Sequence, residues 1–330
     1  MIEMGSVTTT WRVAWKRNFW WFALAVPGPF TACPSPDAES SFGSDAPVAG
    51  SVLRIQTALH RDLVENSVAV TSVSQPGIVF GFNDSGHRAR LYAFDSLGRA
   101  RGVWEMIGAA NQDSEAASTG PCVAGGPGHC LYIGDVGDND ARRSFVTIYR
   151  VPEPTIGSNG GASAPLQVQD RLHLRYPDRP HDVEAMYVGP DGSVFLITKR
   201  RLLDHQRRPR QALVFRVPPS AWDSSGIVTA ALVDSLPIVP GQVQGGQITD
   251  AALSPDFRLL AVRTYADVFV FVVDSLTRLP VPGQTVLPCS VRALDERQGE
   301  GLGWWWGGRS LLLTSEGSRE PLHRIQCPLP

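Results

Sequence analysis

The fold is decided by one pattern that occurs four times, as Asp113-Ser-Glu-Ala-Ala117, His181-Asp-Val-Glu-Ala-Met186, Ile248-Thr-Asp-Ala-Ala-Leu253 and Gln298-Gly-Glu-Gly-Leu-Gly-Trp304. Each copy places an acidic residue among small residues and leads into an apolar segment. Aligning the copies puts Glu115, Glu184, Asp250 and Glu300 at equivalent positions. These residues are 69, 66 and 50 positions apart, and a unit that recurs along the chain is typical of a repeat architecture.

Further apolar segments follow each copy of the pattern. The second segments end in polar residues, at 131–135, 194–199, 259–263 and 311–316, and the third lie at 145–151, 212–217, 268–273 and 322–327. Short runs rich in Val, Ile, Leu and Phe, separated by Gly, Pro, Asp and Ser, predict β-strands. A looser unit spans 67–95, and fourth strands at 171–176 and 229–236 close two of the units.

About five units of four strands predict an all-β protein, a β-propeller of five blades, with six as the alternative. The last unit lacks a fourth strand, and residues 51–59 are apolar enough to supply it. We therefore expect an N-terminal strand to close the ring and to protect its edge. Residues 50–330 are expected to form this single domain.

The first 49 residues are expected to lie outside the fold. Arg12, Lys16 and Arg17 precede an apolar run at 19–26, which is too short to span a bilayer as a helix. Phe30-Thr-Ala-Cys33 resembles the lipobox of bacterial lipoproteins, with Phe30 where that pattern usually has an aliphatic residue. We expect residues 1–32 to be a lipoprotein-type signal peptide, Cys33 to carry the lipid, and 33–49 to form a flexible tether. The alternative is a cleaved signal, a soluble secreted protein and an incidental Cys33.

The other four cysteines indicate two disulfides, since an even number is expected in an exported chain. Cys122 and Cys130 flank a turn-rich connector, and Cys289 with Cys327 would tie the end of the chain to an earlier segment. The spacings do not resemble a zinc site, which favours the pairs Cys122–Cys130 and Cys289–Cys327.

One stretch resembles a family of secreted bacterial propeller proteins. It reads Tyr-Ile-Gly-Asp-Val-Gly-Asp-Asn at 132–139. The resemblance covers roughly residues 65–320 and extends to Arg143, 148–150, 153–154, Asn-Asp-Ser-Gly at 83–86 and 113–116. More remotely, the acidic motifs are similar to those of phytase-like propellers, in which calcium and acidic residues cluster on one face. The resemblance implies the fold, and no catalytic residue is carried over from it.

The aligned acidic residues predict a binding site at one mouth of the central channel, where first strands begin and second strands end. The candidate residues are Asp84, Glu115, Asp135, Glu184, Lys199, Asp250, Arg263, Glu300 and Glu316. Three interpretations remain open. In the first, the ring binds calcium, with Asp135, Asp138 and Asn139 as the local candidates. In the second, its crowded carboxylates are catalytic. In the third, the acids pair with arginine and with backbone N–H groups between blades as structural clamps.

The function expected from these residues is binding of a small molecule, a glycan or a protein, with calcium as a candidate cofactor. The alternative is a calcium-dependent hydrolase of a phosphoester or lactone. Ser85 and Ser315 lack the Gly-x-Ser-x-Gly elbow of a nucleophile. A net charge of −2 gives no footprint for nucleic acid. The run Trp304–Trp306 is expected to pack between blades, with a sugar- or lipid-contacting patch as the alternative.

Overall fold

A computed structural model describes residues 50–57, 59–157, 164–200, 202–204 and 206–330. The expected signal peptide, the tether and Cys33 lie outside these residues. The described chain forms 24 β-strands and two short 3-10 turns, η1 (Pro219–Asp223) and η2 (Arg292–Leu294). None of its segments is a helix of the length and apolarity needed to cross a membrane.

Twenty of these strands form five antiparallel, four-stranded sheets, which are the five blades of a propeller. Blade 1 contains β2 (Val70–Thr71), β3 (Ile78–Gly81), β4 (Arg90–Asp95) and β5 (Ala100–Ile107). Blade 2 contains β6 (Ser114–Pro121), β7 (His129–Asp135), β8 (Val146–Pro152) and β10 (Asp170–Arg175). Blade 3 contains β11 (Val183–Val188), β12 (Val194–Thr198), β15 (Ala212–Val217) and β17 (Ala231–Leu236). Blade 4 contains β18 (Ile248–Leu253), β19 (Leu259–Thr264), β20 (Asp267–Val272) and β21 (Cys289–Ser290).

Blade 5 confirms the expected ring closure. It contains β22 (Gly299–Trp304), β23 (Leu311–Ser315), β24 (Leu322–Ile325) and, as its outermost strand, β1 (Val52–Ile55). Val52 pairs with Ile325 and Ile55 with Leu322. The N-terminal strand thereby covers the edge that β24 would otherwise expose.

Four short strands lie outside the four-strand blades. β9 (Leu166–Gln167) pairs parallel with β5, and β16 (Val228–Thr229) pairs parallel with β10. β13 (Leu202–Leu203) and β14 (Pro209–Arg210) form a separate hairpin.

The hydrophobic core is divided among the blade interfaces, because the centre of the ring is a channel. Five clusters of buried side chains correspond to the five contacts between neighbouring blades. Between blades 3 and 4, for example, Tyr187 and Phe195 pack with Leu260 and Phe271. The inner strands β2, β6, β11, β18 and β22 contact one another in ring order. At the last seam, a Cβ on Gly303 would lie 2.2 Å from the carbonyl oxygen of Ala69, so only glycine allows this approach.

Both predicted disulfides are present. The Cα atoms of Cys122 and Cys130 are 4.9 Å apart, across the hairpin of β6 and β7. Those of Cys289 and Cys327 are 5.7 Å apart, and this bond joins blade 4 to blade 5 next to the closing strand. Each separation lies within the range that a disulfide bridges.

Candidate functional site

A β-bulge at the start of the inner strand presents the acidic residue of the repeat. In blade 2, Ser114 and Ala116 pair with consecutive residues of β7, so Glu115 is an extra residue between them. Glu184 of blade 3 and Glu300 of blade 5 lie at register shifts of the same kind. Because a bulge re-aims the side chain of its extra residue, it places these three glutamates at the same mouth of the channel.

The bulge in blade 4 corrects the alignment of Asp250. Ile248 and Asp250 pair with consecutive residues of β19, so the extra residue is Thr249, one position earlier than the repeat pattern predicts. Asp250 lies 1% exposed inside the seam with blade 5. Its carboxylate accepts the N–H of Leu302 at 2.6 Å and of Ala251 at 2.8 Å. Burial raises the pKa of Asp250 well above its usual value. It acts as a clamp between blades and does not join the mouth.

The second strand of a blade also brings a side chain to this mouth. It is the side chain of the residue that comes directly after the last residue of the second strand that pairs with the inner strand. In blades 1, 3, 4 and 5 these residues are Asp84, Lys199, Tyr265 and Glu316. Tyr265 was not among the candidates predicted from the sequence. It is identified by the register of β18 with β19, in which Ile248 pairs with Thr264 and Tyr265 follows.

Asp135 and Arg263 lie within the pairing with the inner strand, and both make structural contacts rather than contribute to the mouth. Asp135 receives a hydrogen bond from Arg143 Nη1 at 2.9 Å and from the N–H of Asp113 at 2.9 Å. Arg263 donates to the carbonyl oxygens of Gly301 and Thr314 at 2.7 and 2.9 Å. These two candidates match the structural-clamp interpretation.

The turn expected to hold calcium makes structural contacts as well. Asp138 accepts the backbone N–H groups of Arg142 and Arg143 at 2.9 and 2.8 Å. Asn139 accepts a hydrogen bond from Arg200. The oxygens of Asp135, Asp138 and Asn139 are thus directed to arginines and backbone groups rather than to one shared point.

Carboxylates do converge at a neighbouring place. One oxygen each of Asp84, Asp113 and Glu115 lies within 4.8 Å of the others. Asp113 begins the repeat pattern but was not among the predicted site residues. A Cβ added to Gly137 would lie 2.6 Å from the Asp113 carboxylate and 2.8 Å from Cγ of Glu115, so this glycine leaves the space that both side chains occupy.

A second group of side chains continues the acidic surface. Lys199 Nζ bonds Glu184 Oε1 and lies 5.5 Å above the ring of Tyr265, and Tyr265 donates to Glu300 Oε1 at 3.0 Å. Gln298 Nε2 donates to the same oxygen at 2.8 Å. Among the described residues, no hydrogen-bond partner faces the buried Oε2 of Glu184, whose side chain is 1% exposed.

We call this group of residues the acidic mouth. It consists of Asp84, Asp113, Glu115, Glu184, Lys199, Tyr265, Glu300 and Glu316. Six carboxylates therefore lie close to one another with Lys199 as the single cation of the set. Such an excess of like charge in a poorly solvated place is unfavourable unless protons or cations neutralise it.

The excess of negative charge and the burial of side chains raise the pKa values of carboxyl groups in the acidic mouth. Burial, reinforced by the negative charges of Glu184 and Asp84, raises the pKa of Glu115 well above its usual value. Burial also raises the pKa of Glu184 and of Glu300, although Lys199 opposes the shift in both. Burial and neighbouring carboxylates raise the pKa of Asp113 to about 6. The same two causes raise the pKa of Glu316 to about 7.

Comparison with known proteins adds little to this geometry. No protein-family model and no curated protein matches the sequence. A search of solved structures finds, among others, a luciferin-regenerating enzyme that is 9% identical, with 84% of this chain and 81% of that chain covered and a TM-score of 0.42. The fold assignment rests on the five sheets and their order around the ring.

Proposed function

We propose that this protein is an exported binding propeller whose acidic mouth holds a calcium ion and, through it, a ligand. The observation that carries the proposal is the excess of carboxylates, together with the unpaired buried oxygen of Glu184. The motif at 132–139 also resembles that of secreted bacterial propellers. Calcium prefers six to eight oxygen ligands, and carboxylates are its usual protein ligands.

The three converging carboxylates fit the size of a calcium ion. Calcium–oxygen distances are about 2.3–2.6 Å, so two ligand oxygens on opposite sides of one ion are roughly 5 Å apart. The oxygens of Asp84, Asp113 and Glu115 lie within 4.8 Å of one another. Three protein ligands leave several coordination positions, which water or the oxygen atoms of a ligand would complete.

Calcium is expected to stabilise the protein in a pH-dependent manner. Because the folded-state pKa values are raised, the folded protein binds more protons than the unfolded chain between pH about 4.5 and about 7. Without calcium, the free energy of unfolding therefore falls as the pH rises through this window. Calcium binds the deprotonated carboxylates, so at a concentration about 100 times its Kd it should raise Tm by about 5–10 °C at pH 8 and by much less at pH 5.

Thermal melts in calcium, in magnesium and in excess chelator, at both pH values, measure this effect. Glu115→Gln is expected to abolish the calcium shift, and Glu105→Gln, on the exposed face of β5, is the matched control that keeps it. Identical melting curves at pH 8 in calcium and in chelator would contradict the calcium site and leave protonation as the way the mouth is neutralised.

We also propose that a lipid on Cys33 anchors the protein in the cell envelope, facing the periplasm or the cell exterior. Two disulfides support export, since such bonds form and persist in oxidising compartments. The residues before Cys33 support lipid attachment, and a diacylated cysteine holds a protein stably on a membrane.

Cys33→Ser is expected to move the protein from the membrane fraction to the soluble fraction and to remove the mass of the lipid. Fractionation and intact-mass measurement check this, with Ser35→Ala as the matched control. A wild-type protein found without lipid in the soluble fraction would instead support an ordinary cleaved signal peptide.

A further inference from the structure

The end of the channel opposite the acidic mouth contains a cavity of about 590 Å³. All five inner strands line it with their final residues, as at Thr71 of β2, Thr119 of β6 and Trp304 of β22. The acidic residues lie at the first residues of the same strands, so the two sites are at opposite ends of one ring. Cavities of this size are typical of small-molecule sites.

Among the residues that the structure describes, the lining of this cavity includes no aspartate, glutamate, lysine or arginine, and His129 is its one titratable side chain. A charged ligand would lose its hydration there without gaining a partner of opposite charge. The cavity therefore favours an uncharged ligand, in contrast to the acidic mouth.

Two tryptophans line the cavity: Trp306 is partly exposed and forms an apolar wall, whereas Trp304 is only 2% exposed and packs in the core between blades 4 and 5. The indole N–H of Trp304 donates to the carbonyl oxygen of Ala252 at 2.9 Å, and that of Trp306 donates to the carbonyl oxygen of Ser72 at 3.0 Å. Because both N–H groups are already bonded to the protein, the accessible ring of Trp306 offers a ligand only apolar surface.

Small residues form another part of the lining, which leaves the cavity open. Ala117 of β6 and Ala251 of β18 line it, as does Ala69, which immediately precedes β2. The opposite side is a loop that the Cys122–Cys130 disulfide closes, and residues 125–129 of this loop line the cavity. A covalently closed loop preserves its shape at little entropic cost on binding.

We propose that this cavity is a second binding site, which takes an uncharged, largely apolar small molecule with an aromatic or alicyclic ring. The site, which we call the apolar mouth, is defined by Thr71, Thr119, Val188, Phe257, Trp304 and Trp306. The rings of Trp306 and Phe257, which are both accessible from the cavity, contact the ring of the ligand, and the partly exposed Thr71 and Thr119 orient a single polar group. Nothing in this proposal depends on calcium or on the acidic mouth.

The test uses two dyes of nearly the same shape, the uncharged N-phenyl-1-naphthylamine and the anionic 1-anilinonaphthalene-8-sulfonate. Binding is measured by energy transfer from tryptophan, with the protein in excess chelator so that the calcium site plays no part. We expect saturable one-to-one binding of the uncharged dye, and at least about tenfold weaker binding of the sulfonate.

Two variants that act in opposite ways test the location. Thr119→Phe fills the cavity and Trp306→Ala removes a wall, and each is expected to weaken binding of the uncharged dye about tenfold or more. Thr155→Phe, at an exposed position, is the control and should bind as the wild type does. Absence of saturable binding, equal affinity for the two dyes, or wild-type affinity in both cavity variants would each overturn the proposal.

Discussion

Arg263→Met is expected to lower the free energy of unfolding by about 3–5 kcal/mol, because it breaks a buried ion pair from one side. Arg263 lies on β19 of blade 4 and is 0% exposed. Its guanidinium reaches into blade 5, where it bonds the carbonyl oxygens of Gly301 and Thr314 and the carboxylate of Glu296. Methionine fills a similar volume but leaves these three acceptors without their donor.

The loss should depend on pH in a direction that identifies its cause. Burial alone would raise the pKa of Glu296, but the charge of Arg263 and the contact with His323 hold it below its usual value. A carboxyl with a lowered folded-state pKa stabilises the protein above its unfolded pKa, and this contribution disappears as the pH falls. The deficit of Arg263→Met should therefore be largest near neutral pH and should shrink toward pH 4.

Urea unfolding at several pH values, followed by tryptophan fluorescence, measures both effects. Arg258→Met, in the exposed turn before β19, is the control and should change stability by no more than about 0.5 kcal/mol. A deficit below 1 kcal/mol for Arg263→Met would mean that the seam between blades 4 and 5 does not depend on this ion pair.

Removal of the Cys289–Cys327 disulfide, as Cys289→Ser/Cys327→Ser, is expected to cost about 4 kcal/mol. Its cysteines are 38 positions apart, so the bond removes much of the freedom of the unfolded chain. The bond also holds β24 against blade 4, where the ring closes. Cys122→Ser/Cys130→Ser removes a bond between cysteines that are only 8 positions apart, and it should lower the free energy of unfolding by about 2.5 kcal/mol.

The two double variants serve as controls for each other in the same denaturation experiment. The difference between them is expected because the cost of loop closure in the unfolded chain increases with loop length. An equal loss in both variants, or a larger loss for the pair at 122 and 130, would show that strain or contacts in the folded state dominate over chain entropy.

The blades and their closure could be predicted from the sequence because alternating apolar segments and turn residues are local signals. The position of individual side chains could not, since it depends on strand register. A bulge adds one residue, and a shift of one residue moves a side chain to the other face of a strand. This is why Asp250 is a clamp and Thr249 occupies the position expected for it, and why Tyr265 was missed.

The structural-clamp interpretation applies to only some of the acidic residues. Asp135 pairs with Arg143, whereas Glu115 lies among other carboxylates. A sequence pattern cannot separate these cases, because the arginine that neutralises an acid comes from another part of the chain. The sequence signal for the apolar mouth was limited to the run Trp304–Trp306, since the small residues of the cavity lie in different blades and are ordinary in each.

The pairing of β1 with β24 has a consequence for the order in which the chain acquires its structure. Val52 pairs with Ile325, so β1 waits for a strand at the other end of the domain, in whichever compartment the chain folds. Blades 1 to 4 can form from consecutive segments, but blade 5 remains incomplete until β1 and β24 meet, and its open edge is available to other chains. Protection of that edge by a chaperone is thus most valuable in the interval before the final strand arrives.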